Sequence, residues 1–162
     1  AKSTEKHVWL RHILDSAQLV KFIDFKGSSI SDLGSGAGFP GIVLAIFSDK
    51  INFHVKLYEK SPVKRDFLNK IANNLNLKVT IKGNITEEKM DSNMFVCRAF
   101  KKLEKIIDIS REKILKPHKI IVLKGKNAEN EINKVPLENN YRYKIVKSMT
   151  DYDSKIVIIE AN

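Results

Sequence analysis

"ISDLGSGAGFPGIVLAI", residues 30–46, decides how the rest of the chain is read. Asp32 sits near the end of a short run, and Gly34, Gly36 and Gly38 then alternate with small residues. Pro40 and Gly41 lead into a second apolar run. Alternating glycines weaken helix and strand alike. So bare a loop implies a backbone that must turn sharply or approach a ligand with no Cβ in between. The run before it has strand length and the run after it has helical spacing, so the stretch reads as strand, loop, helix.

Working outward, "FHVKLYE" alternates Phe53, Val55 and Leu57 and predicts a second strand ending at Glu59. "SPVKRDFLNKIANNL" predicts a helix with Ser61 as N-cap and Pro62 at the first helical position. "LKVTIKG" predicts a third strand, Glu87 to Met90 a short helix, and "NMFVCRA" a fourth strand. Lys101 to Leu115 has helical spacing, stopped by Pro117, and "HKIIVLKG" predicts a fifth strand. A short helix is expected over Glu129 to Lys134. "YRYKIVKSM" and "SKIVIIEAN" then follow without a helix between them, so they pair antiparallel. Ahead of the glycine loop, Glu5 to Asp24 predicts a helix carrying Trp9, Ile13, Ala17 and Val20 on one face.

Five strands, each followed by a helix, imply an α/β fold with a mostly parallel, doubly wound sheet and an antiparallel strand at one edge. Ligands of such sheets bind beyond the carboxyl ends of the strands. Asp32 to Gly38, Glu59, Gly83 to Thr86, Arg98 and Lys124 are therefore expected on one rim.

Two frames fit the loop. "GAGFPG" satisfies the dinucleotide fingerprint G-x-G-x-x-G, but its first glycine stands three residues beyond the strand. Asp32-Leu33-Gly34-Ser35-Gly36-Ala37-Gly38 fits acidic-x-G-x-G-x-G, which suits S-adenosylmethionine. That ligand has no pyrophosphate, but it carries an ammonium that an acidic residue at a strand end can meet, directly or through water. Glu59, 23 residues after Gly36, can accept ribose hydroxyls in either class. The frame favours the methyl donor, with a nicotinamide-dependent oxidoreductase as the alternative.

The 162 residues suffice for one domain, and no apolar run reaches the roughly 18 residues of a membrane span. A net charge of +10 points to a polyanionic partner such as nucleic acid. A basic RNA-binding protein with an inactive cofactor fold is thus a further alternative. The single cysteine, Cys97, precludes an intrachain disulfide and fits a reducing, cytoplasmic setting. His7, His54 and His118 lack companions at ligand spacing, so no metal site is expected.

"RHILDS" (Arg11 to Ser16), "DLGSGAGFPG" (Asp32 to Gly41), "KRDFL" (Lys64 to Leu68), "RAF" (Arg98 to Phe100) and "LKG" (Leu123 to Gly125) occur in one order and spacing. In these the whole chain resembles the small-subunit ribosomal RNA guanine-N7 methyltransferases, also called the glucose-inhibited division protein B family. The resemblance implies a Rossmann-like class I methyltransferase. It would act on a guanine of bacterial small-subunit ribosomal RNA, naked or in the assembled subunit, most simply as a monomer. Cofactor contacts are implied for Gly34, Phe39, the backbone of Ile85 and Thr86, and Arg98. Against that family the chain is expected to carry less helix ahead of "RHILDS", and it has Asn84-Ile85-Thr86 where relatives favour Arg-Ala-Glu. The expected organisation is one domain over 1–162, with an N-terminal helix within 1–27.

Guanine N7 offers an in-plane lone pair and no proton, so its methylation requires positioning and no general base. Arg98 and Lys124 are the candidate positioning residues; Asp32, Gly34, Gly36, Gly38, Phe39, Glu59, Ile85, Thr86 and Arg98 are the candidate cofactor contacts. Arg11, Lys64, Arg65 and Lys124 are the candidate RNA contacts. Cys97 lies where a cytosine-C5 methylating enzyme would carry a nucleophile, but its context reads as a small buried hydrophobe.

Overall fold

The computed structural model describes residues 8–26, 29–49, 51–114, 117–138 and 140–162. Its centre is a seven-stranded sheet: β1 (Ser29–Leu33), β2 (His54–Tyr58), β3 (Val79–Lys82), β4 (Met94–Arg98), β5 (His118–Lys124), β6 (Tyr141–Lys147) and β7 (Lys155–Ala161). The order is β3-β2-β1-β4-β5-β7-β6. The first five strands are parallel, and β7 runs antiparallel to both β5 and β6. The expected class is thus found, with the antiparallel strand slotted one place in from the edge. β1 is buried along its whole length because neighbours flank it on both sides and chain covers both faces.

The period of two sorts the core into two layers. On one face, Ile30, Val55, Leu57, Val96, Ile121 and Leu123 pack beneath α1 (Gly41–Ser48), α2 (Pro62–Asn74) and the N-terminal segment. On the other, Leu33, Tyr58, Phe95, Cys97, Ile120 and Val122 pack beneath α3 (Leu103–Lys113) and α4 (Ala128–Ile132). In α2 the buried Leu68 and Ala72 stand four residues apart among exposed polar neighbours, as its amphipathic pattern requires. Pro62 opens α2, but Ser61 makes no side-chain cap. Its backbone N–H instead donates to Glu59 Oε1 at 2.8 Å.

Two expectations are corrected. No helix forms over Glu87 to Met90; residues 83–93 instead form a strap of turns from the tip of β3 to the foot of β4. Polar side chains spend their hydrogen-bonding capacity locally here, which competes with a helix. Glu88 accepts the Gly83 N–H at 3.3 Å, Asn84 accepts the Thr86 N–H at 3.3 Å, and buried Ser92 bonds Ser29 and Ser31 at 2.9 Å each. Four of the parallel strands, not five, are followed by a helix. The second correction concerns the N-terminal segment, a π-helix over Trp9–Leu14 that tightens through Asp15–Ala17 into a 3₁₀ turn over Gln18–Phe22. The expected start at Glu5 and the end at Leu115 lie outside the described residues, as does His7.

Candidate active site

The glycine loop crosses the tip of β1 with φ of +71° at Gly34, +56° at Gly36 and +96° at Gly38, so the alternating glycines mark alternating left-handed residues. Gly34 and Ser35 both donate to the Tyr58 carbonyl, at 2.9 and 3.0 Å. Gly36 donates to Glu59 Oε2 at 2.9 Å. Each Glu59 oxygen thus holds one backbone amide, and each keeps a further lone pair for a ligand hydroxyl.

Asp32 lies beneath this loop. It is fully buried, so it makes no direct contact with a ligand on the rim; its Oδ2 accepts the Gly41 N–H at 3.0 Å. Its Oδ1 has no hydrogen-bond partner among the described residues. Burial raises its pKa from 3.8 to about 7, with the Gly41 hydrogen bond pulling the other way. Folded protein therefore holds a proton that the unfolded chain has released between about pH 4 and 7, so this site withdraws stability as pH rises through that window and none beyond it. Denaturation of the wild type at pH 5 and 7.5 should show a fall of order 1–4 kcal/mol from this group. Asp32→Asn should flatten that fall, and an unchanged slope would place the titration elsewhere.

β4 supplies the second wall. Arg98 projects onto the face of the N-terminal segment, where its Nη1 donates to the Arg11 carbonyl and to His12 Nδ1, each at 2.7 Å. The π-helix contributes to this contact. The Asp15 N–H reaches back to the Leu10 and His12 carbonyls instead of to Arg11, whose carbonyl meets the guanidinium. The Phe39 ring stacks on His12 at 5.2 Å, and the Arg98 guanidinium stands 5.4 Å from its centre. Burial lowers the Arg98 pKa, opposed by Asp15 and Asp32.

Ala99 follows with φ +50°, an uncommon conformation for a residue with a Cβ. That turn sets Phe100 against the glycine loop, where a Cβ on Gly34 would fall 2.4 Å from its ring. Sequence reasoning missed Ala99. Beyond it opens a cavity of about 290 Å³, between the tips of β4 and β5, the N-terminal segment and the β6–β7 turn.

Other expected site residues fall into distinct settings. Ile85 is buried in the core under α3, and its N–H enters no hydrogen bond among the described residues; the Thr86 N–H is taken by Asn84. Lys124 follows the other face of the sheet from Arg98, although both border the cavity beyond Ala99. Its ammonium is held by Glu131 at 2.7 Å and the Lys101 carbonyl at 2.8 Å. Arg65 Nη1 donates to the Glu59 and Lys60 carbonyls at 3.0 and 2.9 Å. Lys64 is exposed and makes no ion pair among the described residues, while Arg11 pairs loosely with Asp151 at 3.8 Å. Cys97 is fully buried under α3, and burial pushes its thiol far above the ordinary range. Among the described residues no group of His, Cys, Asp or Glu could hold a metal ion, and no helix is long and apolar enough to cross a membrane.

The order 3-2-1-4-5-7-6, a glycine loop over β1 and an acidic residue ending β2 define a Rossmann-like methyltransferase. Solved structures share the fold: a SAM-dependent methyltransferase from Aquifex aeolicus superposes with a TM-score of 0.73 over 96% of this chain and 93% of that one, at 15% identity. TYW2 of M. jannaschii, in complex with AdoMet, gives 0.65 over 92% and 74%, at 16% identity. The chain belongs to the GidB family, rRNA small subunit methyltransferase G, whose sequence model matches residues 1–158. Among relatives named ribosomal RNA small subunit methyltransferase G, that of Pelagibacter ubique is 37% identical over 99% of this chain and 78% of its own length. That of Rickettsia felis is 39% identical over 96% and 79%.

Proposed function

We propose that this protein transfers the methyl group of S-adenosylmethionine to N7 of a guanine in small-subunit ribosomal RNA, working as a cytoplasmic monomer on naked RNA or the assembled subunit. The observation that carries this reading is the left-handed glycine loop between Glu59 and Arg98, in a chain of this family. The residues fit the cofactor. A Cβ on Gly36 would meet only the Gly34 carbonyl, at 3.8 Å, so the loop is open to a ligand there, and Glu59 offers acceptors beside it.

When bound, the cofactor supplies an electrophilic methyl group on a sulfonium, open to in-line displacement. The protein's own residues do the rest by placement, since N7 has no proton to remove. Asp32 holds the loop to the start of α1, and Arg98 fastens the N-terminal segment over Phe39. Lys124 acts as a positioning residue that ties the tip of β5 to α4. Tyr152, 83% exposed with the Lys147 and Lys155 ammoniums 5.6 and 5.9 Å from its ring, gives RNA bases a cationic stacking platform beside the cavity.

Labelled methyl groups should pass from S-adenosylmethionine to unmodified small-subunit RNA. Calorimetry should show binding of S-adenosylhomocysteine and none of NAD; the reverse pattern would favour the oxidoreductase. If Lys64 neutralises a phosphate, Lys64→Ala should flatten the log–log salt dependence of RNA binding by somewhat under one unit. Lys124→Ala should leave that slope alone and lower the melting temperature instead. Equal slope changes in the two variants would return Lys124 to the RNA surface.

A further inference from the structure

We infer that the cavity beyond Ala99 receives the target base itself, with Asp15 and Asp151 reading the Watson–Crick edge of guanine; this rests on the guanine-N7 reading above. Asp15 belongs to the N-terminal segment and is only 9% exposed, yet it lines the cavity. Its Oδ1 is fully used, accepting from Gln18 Nε2 and Thr150 Oγ1 at 2.7 Å and from Ser148 Oγ at 3.3 Å. Its Oδ2 takes no hydrogen bond from any described residue. A buried carboxylate locked through one oxygen and left open at the other is an acceptor awaiting a donor. Asp151 repeats the pattern on the β6–β7 turn. Its Oδ1 accepts the Asp153 and Ser154 amides at 2.8 and 3.2 Å, and its Oδ2 has only the Arg11 guanidinium at 3.8 Å.

Strand order gives the cavity a direction. From the glycine loop on β1 the sheet runs through β4, with Arg98, then β5, then β7, so the β6–β7 turn lies on the side far from the loop. The Asp15 carboxylate is bonded to that turn through Thr150. A guanine entering between them with N7 toward the loop turns its opposite edge, N1–H and the N2 amino group, toward the two carboxylates. Guanine presents two adjacent donors there. Adenine presents its acceptor N1, which a carboxylate repels, and inosine has lost the amino donor. The pocket therefore selects the base by the edge remote from the reaction, leaving N7 free.

Binding of GMP, IMP and AMP to protein loaded with S-adenosylhomocysteine tests this without requiring methyl transfer. GMP should bind on the order of tenfold more tightly than IMP, the worth of one hydrogen bond to a charged group, and AMP should bind more weakly still. Asp15→Asn should erase the GMP–IMP difference while S-adenosylhomocysteine affinity stays within about twofold. Equal binding of GMP and IMP by the wild type would overturn the proposal, and that comparison needs no variant to fold. A tenfold loss of S-adenosylhomocysteine affinity in Asp15→Asn would also overturn it, assigning the cavity to the cofactor's amino-acid end. Failure of the underlying reading looks different: selective GMP binding by a protein that transfers no methyl group to small-subunit RNA.

Discussion

Gly36→Val should yield a folded protein with no measurable affinity for S-adenosylmethionine. The three loop glycines share a left-handed backbone, but only at Gly36 does a side chain point into open space; a Cβ there meets nothing closer than 3.8 Å. The variant therefore bears the backbone strain, about 1–2 kcal/mol, and places its methyl groups where the ligand must lie. Gly38→Ala is the informative contrast. Its Cβ would stand 2.6 Å from Ile42 Cγ1 and 3.2 Å from Leu68 Cδ2, so the loss should appear first in stability. Calorimetric titration with S-adenosylhomocysteine, beside thermal melts of both variants, separates the two outcomes. Unchanged affinity in folded Gly36→Val would remove the glycine loop from the cofactor site.

Arg98→Lys should lower methyl transfer by about a hundredfold, the scale on which small misplacements act. One guanidinium nitrogen reaches both the Arg11 carbonyl and His12 Nδ1 while the planar group stands over Phe39. An ammonium cannot meet both partners and keep the flat contact with the ring. The loss should reside in cofactor affinity or placement, and it should be the same at about pH 7 and 8.5, because no residue is asked to take a proton. Single-turnover rates at sub-saturating and at saturating cofactor measure this and separate affinity from placement. A new pH dependence in the variant would reveal a titrating base that Arg98 had masked.

The sheet and the glycine loop were legible because each rests on local signals. Period-two runs such as Val55 and Leu57 mark strands, and the left-handed positions of the loop require glycine. That the loop, Glu59 and Arg98 stand at one end of the sheet then follows from parallel topology alone, whereas Ile85, on the strap after β3, is buried under α3. What escaped depends on partners distant in sequence or on side-chain competition. The strap after β3 replaces a helix because Glu88, Asn84 and Ser92 bond to nearby backbone and to β1. Lys124 stands at the tip of β5 as expected, but the parity of the strand turns it toward Glu131 and away from Arg98. Asp32 stands in β1 beneath the loop, and its burial there, with Gly41 donating to its Oδ2, depends on packing that the local sequence does not signal. The π-helical register at Arg11 has no signature in the apolar spacing. The slot for β7 between β5 and β6 is a matter of strand order, which antiparallel pairing alone does not specify.

Methylation at guanine N7 is the central claim, and the 7-methyl base can be cut chemically. Small-subunit RNA should be incubated with the enzyme and labelled S-adenosylmethionine, then treated with borohydride and aniline. The account predicts strand scission at a guanine, coincident with the label, unaffected by replacing Cys97 with Ser. Label on cytosine C5 with no scission, abolished by Cys97→Ser, would contradict it and make the buried thiol the nucleophile.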